Sequence, residues 1–309
     1  MILLHSLETL DADVRGGALT IGNFDGVHRG HAAIIERLKA QAAKVGGPAV
    51  VFTFDPHPVR LLRPEAAPPP LTWTDRKAEL LAELGVDAVI AYPTDRALLA
   101  LTASEFFQRI VREALAARAV VEGPNFYFGR DRQGNTETLR QFCQDADVAL
   151  DIVTPIVAGE SFISSSRIRD CVARGDVDEA RRLLTRPYRI RGLVTHGARR
   201  GNTIGFPTAN IAAVDTLLPG EGVYAGRAYV DEAVIPAAIN IGPNPTFSEQ
   251  QLKVEAHLLD YSGSLYGRTL EVDFLARLRD TRPFASVDAL VQQLQHDVGE
   301  TRVIAANAT

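Results

Sequence analysis

The chain reads as an α/β half followed by an all-β half, and three observations carry that reading. Up to Leu184, short apolar, β-branched runs alternate with helical stripes over short links, the pattern of a doubly wound, mostly parallel sheet. From Tyr188 onward the runs become short, alternate apolar with polar, and are separated by Gly, Pro and Asn turns. The chain has 309 residues, enough for two separate cores.

Leu19-Thr20-Ile21 is the first buried strand, and Ala32 to Ala40 is the first helix, with Ile34, Ile35 and Leu38 on one stripe. Gly46-Gly47 stops that helix and Pro48 to Phe54 forms the next strand. A helix over Asp75 to Leu84, closed by Gly85, leads into the strand Ala88 to Tyr92. Thr102-Ala103-Ser104-Glu105 has the spacing of a capping box and opens a helix through Leu115. The strand Ala119 to Glu122, a helix from Thr136 to Asp145 and the strand Leu150 to Val153 complete this half. Pro64 to Pro70 reads as a rigid loop with no chemistry of its own. Tyr188 to Val194 alternates and opens the all-β half.

Composition narrows the function. The net charge is −5 and mixed in sign, with no basic block, so nucleic acid is not expected as a partner. The start, Met1 to Glu8, has no basic region and meets an acid early, so no secretory signal is expected. No apolar run reaches the ~20 residues that span a bilayer, so no membrane is expected either. Cys143 and Cys171 stand alone, without metal spacing or a disulfide framework, which points to a reducing cytoplasm. Lys39, Lys44, Lys77 and Lys253 are the only lysines, so cationic phosphate contacts are expected from arginine and histidine.

The most informative ten residues, Gly22 to His31, lie between the first strand and the first helix. Glycines there let the main chain approach a ligand, and a helix N-terminus presents N–H groups and partial positive charge to an anion. His28 and His31 are three apart, so both can face that anion, framed by Gly22, Phe24, Asp25 and Gly30. A strand, a glycine turn and His-x-Gly-His opening a helix make the nucleotidylyltransferase pattern. In a doubly wound sheet, ligands sit beyond the carboxyl ends of the strands. Two more loops share that rim: Asp55-Pro56-His57-Pro58, and Gly123 to Gly129 with Asn125. Ile163 to Arg169 adds hydroxyls and two guanidiniums at a helix start. By itself it reads either as a serine N-cap with solvent-facing arginines or as a triphosphate clamp in which the hydroxyls and both arginine forks share the charge. No Gly-x-x-x-x-Gly-Lys-Ser/Thr run exists, so this is not a P-loop protein, and the histidines lack a third ligand at zinc spacing.

Taken together, Gly22 to His31, Phe54 to Pro58, Gly123 to Gly129 and Ser164 to Arg169 resemble the adenylyltransferase module of bacterial bifunctional riboflavin kinase/FAD synthetases. The second half carries matching signatures in that family's order. Gly201 to Asn210 resembles the Gly-Phe-Pro-Thr-Ala-Asn run of riboflavin kinases; Gly222 to Ala225, Asn240 to Phe247, Val254 to Asp260, Leu265 to Gly267, Leu278-Arg279 and Phe284 follow. The resemblance covers nearly the whole chain. It implies a Rossmann-like nucleotidylyltransferase α/β/α domain over 1–184. Over 185–309 it implies a six-stranded Greek-key riboflavin kinase β-barrel with a C-terminal helix near Ser286 to Thr301. One departure is Pro124, which stiffens the Gly-x-Asn-Phe loop and leaves Asn125 in place.

The resemblance implies two reactions with riboflavin, FMN and ATP as substrates and Mg²⁺ as cofactor. In the kinase, Thr208 and Asn210 hold Mg-ATP, while Gly201, Gly205, Phe206 and Pro207 shape the nucleotide and flavin site. Glu255 is implied as the general base for the ribityl hydroxyl; from the residues alone it is either that or a solvent-facing carboxylate on its strand. Arg279 reads as a phosphate or flavin contact or as a surface arginine, and Phe284 as a flavin cover or a barrel plug. In the adenylyltransferase, the FMN phosphate is already anionic and needs no strong base, so catalysis is alignment and charge stabilisation. His28 and His31 suit the first task, Ser164, Ser165 and Arg169 the second, and Asn125 positions a nucleotide or phosphate oxygen. Arg167 is one residue off the family's basic position, and His57 reads equally as substrate support or structure. The expected setting is cytoplasmic, and the family admits a transient homo-oligomer. A flavin-binding protein without turnover is the alternative class; intact Thr208, Asn210 and Glu255 argue against it.

Overall fold

The computed structural model describes residues 1–8, 10–159, 161–197, 200–244 and 249–308. Two compact units divide the chain: Met1–Pro68 with Trp73–Ser164, and Pro69–Thr72 with Ser165–Thr309.

A six-stranded parallel sheet organises the first unit. Its strands are β1 (Ile2–Leu4), β2 (Ala18–Ile21), β3 (Ala49–Asp55), β4 (Ala88–Pro93), β5 (Ala119–Glu122) and β6 (Ala149–Ile152), in the order β1-β4-β3-β2-β5-β6. The helices are α1 (Arg29–Val45), α2 (Val59–Leu62), α3 (Thr74–Glu83), α4 (Arg96–Ala100), α5 (Ala103–Phe106) and α6 (Thr136–Asp145); α5 runs on as a π-helical stretch, Phe107–Ala114. Alternation along the strands makes two cores. Leu19, Ile21, Val50, Phe52 and Val120 pack with Phe106, Ile110 and Leu139 on one face. Ala18, Val51, Val89 and Val121 pack with Ile35, Leu38 and Leu81 on the other. A parallel sheet buried on both faces is what the continuous apolar strands called for. The sequence reading has no strand at β1, because three apolar residues carry no measurable period; pairing with β4 creates it. Because β3 lies on one side of β2 and β5 on the other, the strand order reverses between β2 and β5. A short antiparallel pair, β7 (Val157–Ala158) and β8 (Ser161–Phe162), follows.

The second unit begins with α7 (Ser165–Ala173) and α8 (Val177–Leu183). Six antiparallel strands then close into a barrel: β9 (Tyr188–Thr195), β10 (Ala209–Ala212), β11 (Gly222–Val230), β12 (Ala233–Asn244), β13 (Glu249–Leu258) and β14 (Thr269–Arg279). The order is β10-β13-β12-β11-β14-β9, and β9 pairs with β10 to close it. After the run β11-β12-β13, β14 returns beside β11, which is the Greek key. Between β9 and β10 lies α9 (Arg200–Thr203); α10 (Val287–Ala306) ends the chain one turn beyond the helix expected from sequence. Ile190, Ile211, Ala225, Ile239, Ile241, Val254, Ala256 and Phe274 are buried in the barrel. One carboxylate joins three strands: Asp273, 1% exposed, accepts from Arg189 Nε at 2.5 Å, Arg227 Nε at 2.9 Å and the Tyr229 hydroxyl at 2.7 Å.

Candidate functional site

The two histidines close the first turn of α1 on each other. His28 is the N-cap; its Nδ1 accepts the His31 N–H at 3.2 Å, while His31 Nδ1 accepts the His28 N–H at 3.3 Å. This is a capping box in which both side-chain acceptors are imidazoles. The rings stack with centroids 3.6 Å apart. With each Nδ1 accepting, each ring proton sits on Nε2, leaving that N–H as a donor. Burial drops the His28 pKa to about 4, against a smaller opposing pull from Asp25. His31 is held well below its ordinary value by burial, then by His28 and Lys77. The pair is therefore neutral at pH 7 and offers hydrogen bonds rather than charge.

The sequence leaves little freedom in that turn. A Cβ at Gly30 would stand 3.1 Å from two atoms of the His28 ring, so the glycine makes room for the stack. Phe24 (φ 48°) and Val27 (φ 37°) sit in the left-handed region beside Gly26 (φ 84°), a conformation kept only where packing over-determines it. Phe24 is buried against His31, with centroids 5.0 Å apart, and a Cβ at Gly22 would stand 3.1 Å from the Phe24 ring. Asp25 is buried as well.

Sequence reasoning missed two buried ionisable groups at this rim. Lys77 of α3 is 8% exposed, with Nζ 3.4 Å from the Thr53 hydroxyl, which itself donates to the Asn23 carbonyl. Burial lowers its pKa while Asp25 and Asp55 oppose the shift. Its Asp-Arg-Lys setting on an amphipathic helix carries no signal of burial. Glu122, at the end of β5, is also buried. Among the expected residues, Asn125 is exposed on its loop. His57 Nδ1 accepts the Val59 N–H at 3.1 Å, so this imidazole starts α2.

Ser164 is the last residue of the first unit, whereas Ser165 and Arg169 lie on α7 in the second. There Arg169 Nε donates to the Pro69 carbonyl at 2.9 Å. Arg167 is half-buried and paired with Glu179 at 2.8 Å, so its charge is engaged within the fold instead of facing solvent.

On the barrel, register aligns the motif residues. Asn210 of β10 stands opposite Thr195 of β9 on one side and Glu255 of β13 on the other, and Glu255 stands opposite Asn240 of β12. Directly opposed residues share a face with Cβ atoms about 5 Å apart, so the four form one polar row. Their neighbours Ile211, Val254, Ala256 and Ile239 are buried in the core, which puts the row on the barrel's outer face. A Cβ at Gly197 would come within 2.2 Å of Asn210 Nδ2, so the glycine holds that amide's place. Phe206 N–H donates to the Gly201 carbonyl at 2.8 Å, and Gly205 has φ +86°. His257 Nδ1 lies 2.7 Å from the Pro207 carbonyl, anchoring the run that carries Thr208. Beside it a cavity of about 110 Å³ is lined by Pro207, Thr208, Ala256, Leu258, Ser264 and Tyr266. Arg279 is gripped by Asp297 of α10, Nη2 to Oδ2 at 2.7 Å, and lies 5.7 Å from the Phe284 ring. Pro245, Thr246 and Phe247 of the Asn240–Phe247 signature lie outside the described residues.

Fold and residues together define a class: an α/β module of nucleotidylyltransferase type joined in one chain to a Greek-key barrel with a polar row on its outer face. The FAD synthetase family model matches residues 10–167 and the riboflavin kinase family model residues 184–305. The chain belongs to the bifunctional riboflavin kinase/FMN adenylyltransferase family and carries both of its enzyme modules. A relative of that description from Pseudomonas fluorescens is 37% identical, over 99% of this chain and 98% of its own. Those from Escherichia coli K12 (36%, covering 96% of each chain) and Bacillus subtilis (31%, covering 96% and 95%) are similar. A solved Streptococcus pneumoniae chain described as a macrolide-efflux protein is 32% identical, with a TM-score of 0.86 over 97% of this chain and 98% of that one. Among the described residues here, no helix is long and apolar enough to cross a membrane.

Proposed function

We propose that the chain makes FAD from riboflavin in two steps, with the functional division at 1–184 and 185–309, and with the residues of the two motif clusters as its machinery. The observation that carries this is the barrel register, which sets Asn210 and Glu255 opposite each other on neighbouring strands, with Asn210 two residues along the chain from Thr208.

In the kinase step Glu255 takes the proton of the ribityl hydroxyl, whose oxygen bonds to the γ-phosphorus of ATP as the bond to ADP breaks. Gly201, Gly205, Phe206 and Pro207 form the loop over the nucleotide and flavin. Arg279, fixed by Asp297, supports the barrel end near Phe284. Thr208 and Asn210 supply two hard oxygens, a donor set that suits Mg²⁺, which prefers few protein ligands with waters and phosphate oxygens. When bound there, Mg²⁺ supplies neutralisation of phosphate charge.

In the adenylyltransferase step an FMN phosphate oxygen bonds to the α-phosphorus of a second ATP and pyrophosphate leaves. His28 and His31 donate from Nε2 to the phosphates without contributing a cation. Gly22, Phe24, Asp25 and Gly30 shape their turn, and Asn125 orients a nucleotide or phosphate oxygen. Ser164, Ser165 and Arg169 take up charge on the leaving pyrophosphate. The protein acts in the cytoplasm on small molecules, without nucleic acid or membrane, and can self-associate transiently.

The test is a time course of the purified chain with riboflavin, ATP and Mg²⁺, the flavins separated by chromatography. FMN appearing first and then converting to FAD is the expected result. FMN that accumulates unconverted overturns the adenylyltransferase assignment, and no turnover overturns both.

A further inference from the structure

Glu122 closes β5 and takes no part in the chemistry above. Its side chain is 3% exposed, and Oε1 accepts the Ile21 N–H at 2.6 Å. Burial raises its pKa well above the ordinary carboxylate range.

Its position in the sheet is particular. β2 and β5 pair at Ala18–Ala119 and Leu19–Val120 and no further. Past that rung the strands part. On the β2 side, the Gly22 N–H turns to the Phe52 carbonyl of β3 at 3.0 Å; on the β5 side, the Glu122 carbonyl accepts the Val153 N–H at 2.8 Å. This is the place where the strand order reverses, and in open α/β sheets the ligand crevice forms there. Both site loops start one residue later, the histidine turn at Gly22 and the Asn125 loop at Gly123. The Glu122 side chain bridges the gap, giving the Ile21 amide a side-chain oxygen in place of a ladder carbonyl. A buried amide left without one would carry a desolvation cost, as would a buried carboxyl with no partner.

We infer that Glu122 is a positioning residue for FMN adenylylation: its side chain is the spacer that sets the distance between the histidine turn and the Asn125 loop. A merely apolar core position would need neither an acceptor nor this length. The inference rests on the assignment of His28, His31 and Asn125 to adenylyl transfer.

Two variants test it, each assayed for both activities in the full chain. Glu122→Gln keeps the acceptor and the length; Glu122→Asp keeps the acceptor and loses one methylene of reach. For FAD formation from supplied FMN, the Asp variant is expected to lose about 10- to 100-fold in kcat with a smaller change in KM for ATP, the size of effect that misplacement of reacting groups produces. The Gln variant should stay within about threefold of the parent, and riboflavin phosphorylation should be unchanged in both. A full-rate Asp variant, a Gln variant as slow as Asp, or an equal fall in kinase activity each overturns the proposal. His28→Asn measured alongside separates the two layers. If it leaves FAD formation intact, the site assignment has failed; if it stops FAD formation while Glu122→Asp does not, only the spacer role has.

Discussion

A histidine that caps a helix through Nδ1 cannot hold a proton there, and this governs what His28 does. Its folded pKa of about 4 lies below the unfolded value near 6.5, so between these limits the unfolded chain binds more protons. The stability this gives is complete above about pH 6.5 and is lost as pH falls toward about 4. Thermal unfolding of the first unit should therefore weaken across that window. His28→Asn, which preserves an N-cap acceptor and does not titrate there, should show a shallower slope. The same variant should stop FAD formation and let FMN accumulate, because the amide caps the helix without presenting the Nε2–H. Unchanged FAD output would remove this histidine from the chemistry. Glu255→Gln should do the reverse, abolishing FMN formation while FAD formation from supplied FMN survives.

Elements matter where two backbones must approach or where a helix is fastened to a strand. Gly197 and Asn210 meet across the connection from β9 to β10, and a methyl group at 197 would occupy the amide's volume. Gly197→Ala is expected to cost the kinase most of its activity and leave adenylylation of FMN near the parental rate; normal kinase kinetics would show that Asn210 can move without loss. Elsewhere on the barrel, β14 holds α10 through Arg279 and the 1%-exposed Asp297, which also accepts from Gln293 at 2.9 Å. Arg279→Met strands that carboxylate, and removing one partner of a buried pair costs about 3–5 kcal/mol. A clear drop in the melting temperature of the second unit is the expected reading, with activity at low temperature falling less than stability.

For the molecule as a whole, the two activities reside in runs of chain that fold around different cores, and FMN is a small diffusible product. A mixture of Glu255→Gln and His28→Asn chains should thus convert riboflavin to FAD, with free FMN detectable in between. Failure of the mixture, with each variant retaining its own remaining activity, would mean that FMN does not leave the chain that made it.

Local pattern determined much of this protein. The β2–turn–α1 and β3 assignments, the alternation into a doubly wound sheet, the change of regime near Tyr188, and the order of the glycine-rich signatures are all properties of neighbouring residues. Glu255 was ambiguous for the same reason: alternation on a strand says which face a carboxylate occupies, and says nothing about what lies opposite. Tertiary structure decided that. The long-range register of β9, β10, β13 and β12 lines up Thr195, Asn210, Glu255 and Asn240, and packing against Asp297 settles where the Arg279 guanidinium goes. Lys77 and Glu122 were illegible because charged residues on a helix stripe or at a strand end carry no local mark of burial. Their desolvation is set by chain far away in sequence, for Glu122 at the reversal of strand order that no local period encodes.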